Sequence, residues 1–90
     1  MEQTKEMKQI IAQIIQDIQE QQSYRAVEAG DDVRVIEDLG FSSLDIAQLV
    51  AQIEMETGVD PFSQGETISS ITTVGSICDI YQKYMDSAQS

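Results

Sequence analysis

Met7, Ile10, Ile11, Ile14, Ile15 and Ile18 recur at spacings of three and four, so they share one face of an α-helix. Gln9, Gln13, Gln16 and Asp17 fill the other face. Isoleucine lowers helix propensity slightly because its branched Cβ is stiff. The regular period outweighs that and predicts a helix from about Thr4 to Gln21. Such a stripe is stable in water only when it is covered. The chain has 90 residues, enough for one core and too few for two, so the cover comes from a single domain spanning 1–90. With no Trp, two Phe and three Tyr, that core is built of Ile, Leu, Val and Met.

Three further stretches supply the cover. Ser42 is a good N-cap and Asp45 stands three residues on, as in a capping box. Phe41 before the cap and Ile46 after the first turn fit a hydrophobic staple. This second helix spans 43–57 and stops at Gly58. Asp60-Pro61 forces a turn, and a short helical segment is expected over 63–70. The last helix is expected over 73–85, with Val74, Ile77, Cys78, Tyr81 and Tyr84 or Met85 buried and Asp86 onward frayed. Between the first two helices lies a long connection, about Ser23 to Phe41, with a turn signal at Ala29-Gly30-Asp31-Asp32. Val33, Val35 and Ile36 suit a short strand, but no partner strand is evident. An ordered loop anchored by Val35, Ile36, Leu39 and Phe41 is the better reading. The fold class is therefore all-α: a small bundle of three main helices plus one short one, with a long loop between the first two.

The formal net charge is -11. Such a chain repels nucleic acid and anionic lipid and attracts partners with basic patches. No Lys or Arg occurs between Val35 and Gln82, a stretch that carries Glu37, Asp38, Asp45, Glu54, Glu56, Asp60, Glu66 and Asp79. There is no His, which removes the commonest general base and metal ligand. Asp31, Asp32, Glu37 and Asp38 lack the spacing of a calcium loop, so no metal site is assigned. Cys78 is the sole cysteine and forms no internal disulfide; on the apolar face of the last helix it reads as a small hydrophobe. Met1-Glu2-Gln3 opens no basic-then-apolar signal, and no segment has the apolar length to cross a bilayer. A monomer in the cytoplasm is the expectation.

The second helix carries two apolar stripes. Ile46, Leu49, Val50 and Ile53 suit the core. Leu44, Ala47, Ala51 and Met55 form another, set among Asp45, Gln48 and Glu54. Either the helix is buried on two sides, or the second stripe faces a partner. Two of its four members are only alanines, which favours the partner.

Ser42 already serves as the cap, so helix formation leaves Ser43 unexplained. At the first helical position Ser43 lies among N–H groups without intrahelical partners, at the positive end of the helix dipole, where a phosphodiester is well received. With no His and no Lys close in sequence, Ser43 has no activating base, so it reads as a residue that another enzyme modifies. The run Glu37-Asp38-Leu39-Gly40-Phe41-Ser42-Ser43-Leu44-Asp45 resembles the attachment site of acyl and peptidyl carrier proteins. The resemblance extends over nearly the whole chain and includes Ile71-Thr72-Thr73-Val74 before the last helix. It implies a 4′-phosphopantetheine arm on Ser43, installed from coenzyme A by a phosphopantetheinyl transferase. It also implies docking on the second helix, with Leu44, Asp45, Ala47, Gln48, Ala51, Glu54 and Met55 as the partner surface. Fatty-acid carriers usually have Asp immediately before the modified serine; this chain has Ser42. The expected function is a discrete acyl carrier without catalytic activity, passing acyl thioesters between loading, synthase and tailoring enzymes of fatty-acid-like or polyketide biosynthesis. The alternatives are a peptidyl carrier of a nonribosomal pathway and, more distantly, an unmodified acidic helical interaction protein.

Overall fold

The computed structural model describes residues 6–67, 69 and 71–88, with backbone alone at 87 and 88. Its elements are α1 (Met7–Gln21), α2 (Ser43–Thr57), a 3₁₀ turn (Pro61–Gln64) and α3 (Val74–Ala88).

α1 buries the stripe read from its spacing: Met7, Ile11, Ile14, Ile15 and Ile18, with Ile10 half-buried. Ile11, Ile15 and Ile18 are fully covered, each contributing about 1.5–3 kcal/mol. Gln19 is also buried, and its amide donates to the Val27 carbonyl at 3.3 Å. Thr4 and Lys5, where the helix was expected to begin, lie outside the described residues. At the other end the chain reverses sharply. Ser23 adopts a left-handed φ of 59°, its N–H donates to Glu20 O, and the Tyr24 N–H reaches back to Gln19 O at 2.8 Å. This is a Schellman closure with serine where glycine is usual.

The long connection is ordered, and one expectation about it needs correction. The stretch Val33–Val35 does find a backbone partner. Arg34 pairs with Thr73 as an isolated antiparallel bridge, flanked by Val35 N–H to Thr72 O and Val74 N–H to Val33 O, both at 2.9 Å. No longer ladder forms among the described residues, so the all-α class stands. Asp38 and Leu39 N–H both donate to Arg34 O, and Gly40 N–H to Ile36 O. That single helical turn carries Val35 and Leu39, four apart, into the core and turns Ile36 outward, 58% exposed. Ile36 is thus not an anchor. Gly75 sits so close to the loop that a Cβ there would meet Asp31 O at 3.0 Å.

The short segment differs from expectation as well. A 3₁₀ turn starts before 63, at Pro61–Gln64, because Asp60 caps it by accepting from Ser63 N–H and Pro61 opens it; within the expected 63–70, residue 69 is also 3₁₀. Residues 68 and 70 lie outside the described residues. Thr73 proves to be the N-cap of α3, accepting from Ser76 N–H at 3.1 Å. The helix continues to Ala88, past the expected end at Met85; Gln89 and Ser90 lie outside the described residues. Val74, Ile77 and Tyr81 are buried on the core face, with Cys78, Tyr84 and Met85 half-buried.

Tyr81 packs edge-on to Phe62, ring centroids 6.3 Å apart, and its buried hydroxyl has no hydrogen-bond partner among the described residues. An unpaired buried hydroxyl is destabilising. Tyr81→Phe keeps the ring and removes that group, so urea unfolding is expected to show a gain of about 1 kcal/mol. An unchanged or lower midpoint would mean that the hydroxyl is satisfied by water.

Candidate functional site

The start of α2 is held by its own side chains and by the loop before it. Gly40, at φ 74°, turns the chain, and Phe41 N–H closes onto Val35 O at 3.2 Å. Ser42 is the N-cap. Its hydroxyl accepts from Asp45 N–H at 3.2 Å, and Asp45 Oδ2 accepts from Ser42 N–H at 3.0 Å, completing the capping box. Phe41 and Ile46 are both buried, as a hydrophobic staple requires.

Ser43 follows the cap and is exposed. Among the hydrogen bonds of the described residues, none uses its hydroxyl, its own N–H or that of Leu44. The start of α3 offers a contrast. There Val74 and Gly75 N–H are taken by Val33 O and Asp31 O. The first turn of α2 therefore presents an accessible hydroxyl beside free donors at the positive end of a helix dipole. These residues fit a phosphodiester carried on Ser43, with the Ser43 and Leu44 N–H groups to receive its oxygens.

Away from the stripe that packs inward, Leu44 is 75% and Met55 84% exposed, and Ala47 and Ala51 are exposed between them. The helix is therefore covered on one side only, with Ile46, Leu49 and Ile53 buried. Glu54 and Glu56 stand exposed at the C-terminal end of the strip.

Two residues expected on the partner surface are placed elsewhere. Asp45 is only 2% exposed. Its Oδ2 accepts from Ser42 N–H, from Ser42 Oγ at 3.1 Å and from the Tyr24 hydroxyl at 2.6 Å, so the carboxylate points into the domain. The Tyr24 bond, followed by that from Ser42 N–H, holds Asp45 below its ordinary pKa against the opposing effect of burial, and the same bond raises the Tyr24 phenol. Gln48 is half-buried and donates to Gln21 Oε1 at 2.8 Å, at the seam between α1 and α2. Two acids of the motif are also engaged: Arg34 pairs with Glu37 and Asp38, and its N–H, donating to Asp38, lowers that carboxyl's pKa. Tyr24 escaped the sequence reading, since nothing local links it to a carboxylate 21 residues later.

The described residues form a three-helix domain that exposes a serine at the capped start of its second helix. Among solved structures, the chain is similar to MacpD, an acyl carrier protein from Pseudomonas fluorescens involved in mupirocin biosynthesis. The two are 35% identical with a TM-score of 0.69, over 83% of this chain and 69% of that one. No protein-family model and no curated protein matches the sequence. The chain belongs to the acyl carrier protein family.

Proposed function

We propose that the protein is a carrier for acyl groups, bound through a 4′-phosphopantetheine arm on Ser43. The observation that carries this reading is the exposed Ser43 hydroxyl beside the free Ser43 and Leu44 N–H groups, in a chain of this family. Ser43 has no base of its own, so a phosphopantetheinyl transferase supplies the catalysis and coenzyme A the group. When bound, the arm contributes a terminal thiol that holds cargo as a thioester. The protein presents the arm and performs no chemistry itself. The part that MacpD plays in mupirocin biosynthesis favours a product-assembly pathway of polyketide type over housekeeping fatty-acid synthesis, as does Ser42 in place of Asp.

The partners dock on the strip Leu44, Ala47, Ala51 and Met55, with Glu54 and Glu56 steering enzymes that carry basic patches. A narrow apolar strip allows release after each transfer, and the flexible Met55 thioether adapts to several partners. The reading is tested by incubating the protein with coenzyme A and a broad-specificity transferase and measuring intact mass. A gain of one phosphopantetheine is expected; no gain favours an unmodified interaction protein.

The docking strip yields its own prediction. Ala51→Glu and Met55→Glu, each in protein already carrying its arm, retain helical content and melting temperature but react more slowly with a cognate enzyme. Unfolding of either variant would return that residue to the core.

A further inference from the structure

Tyr24 belongs to no helix and lies outside the motif, yet it touches both sides of the attachment residue. The Schellman closure at Ser23 throws the chain back across the end of α1 and sets Tyr24 against the start of α2. Its ring lies tilted 42° to that of Phe41, centroids 6.1 Å apart, and its hydroxyl donates to Asp45 Oδ2 at 2.6 Å. Phe41 is two residues before Ser43 and Asp45 two after. A capping box needs only the exchange between Ser42 and Asp45. The tyrosine adds a third donor to a carboxylate that is 2% exposed, so water has little access to take its place. Hydrogen bonds to an ionised acceptor are short and strong.

We propose that Tyr24 is a positioning residue for the transfer of phosphopantetheine to Ser43. It holds the first turn of α2 so that the Ser43 hydroxyl and the free N–H groups of Ser43 and Leu44 face the incoming phosphate together. The proposal rests on the reading of Ser43 as the attachment residue. In the transfer, Ser43 Oγ forms a bond to the pantetheine-bearing phosphorus of coenzyme A. The bond from that phosphorus to the bridging diphosphate oxygen breaks, and adenosine 3′,5′-bisphosphate leaves with the electron pair. The serine proton passes to a base of the transferase. Tyr24 touches none of these atoms and acts through Asp45 and Phe41.

The experiment uses the full chain without its arm, as wild type and as Tyr24→Phe, which keeps the ring against Phe41. Initial rates with coenzyme A and a broad-specificity transferase are followed by intact mass, well below both melting temperatures. Because the docking strip is untouched, KM for the carrier is expected to stay within about twofold, while kcat falls about tenfold as Ser43 loses its alignment. Amide hydrogen exchange at Asp45 and Ile46, whose N–H groups donate to Ser42 Oγ and Ser42 O, is expected to quicken when read by NMR without transferase. In an Asp45→Ala background, Tyr24→Phe is expected to lower kcat no further, since both changes break one link. An unchanged kcat in Tyr24→Phe overturns the proposal even if the melting temperature falls, because a strut for the loop would do only that. An equal further loss in the Asp45→Ala background overturns the route through Asp45. A wild type that gains no mass overturns the attachment reading itself, and this proposal with it.

Discussion

In the Ser43→Ala variant, coenzyme A and a transferase are expected to produce no mass gain, with helical content at the wild-type level. The loss is complete because the neighbouring hydroxyl cannot substitute. Ser42 spends its oxygen on Asp45: it accepts from the Asp45 N–H and donates to Oδ2. Ser43 makes no such bond and is exposed, so replacing it with alanine removes no contact that holds the fold. The opposite pattern is expected for Ser42→Ala. That variant is still modified, because Tyr24 and the backbone N–H of residue 42 continue to hold Asp45, but it loses roughly 0.5–2 kcal/mol of stability as other caps do. Intact mass and urea unfolding on the two variants separate attachment from capping. Modification of Ser43→Ala together with its absence in Ser42→Ala would shift the site by one residue.

Asp45→Ala is expected to be the most destabilising single change at the site, costing about 3 kcal/mol. The carboxylate is buried and accepts three hydrogen bonds; its removal strands the Tyr24 hydroxyl and opens the first turn of α2. For a domain of this size the melting temperature falls by roughly 10–20 °C. The effect depends on pH in a defined direction. The pKa of Asp45 in the folded protein lies below its ordinary value, chiefly because Tyr24 and Ser42 donate to the ionised form. Its stabilisation is therefore complete well above pH of about 4, the range in which the unfolded residue titrates, and is lost as pH falls through the lower folded value. The useful measurement is the difference between wild type and Asp45→Asn, which isolates this carboxylate. That difference is expected to be widest near neutral pH and to shrink below about pH 4. A gap of constant width from neutral to about pH 3 would show that the charge on Asp45 contributes nothing.

Periodicity and capping made most of the fold readable. The α1 stripe, the Ser42–Asp45 box and the Gly58 stop are local signals, decided by residues within a turn or two of one another. The inward and outward faces of α2 were readable for the same reason, since spacing sorts Ile46, Leu49 and Ile53 from Leu44, Ala51 and Met55. What escaped was long-range pairing. Asp45 reads as a capping acid on a charged helix, and its long-range partner Tyr24, set by a left-handed serine and by packing on Phe41, leaves no local signal. Ile36 looks like an anchor beside Val35, but one turn of helix decides which of two adjacent residues points in. The Arg34–Thr73 bridge pairs a stretch that suits a short strand with residues 72–74, where no partner strand is evident in the sequence.

The same bridge makes the carrier divisible. Residues 33–35 and 72–74 lie side by side, so the chain leaves and re-enters the α1–α3 frame at nearly one place. The intervening residues form a cassette that holds Ser43, the exposed apolar strip of α2 and the 3₁₀ turn, with both splice points already juxtaposed. Exchange of residues 36–71 between related carriers then requires no new path for the backbone. A chimera made at these junctions would transfer partner choice as one unit, provided Tyr24 in the frame still meets an acid at the position of Asp45 in the insert.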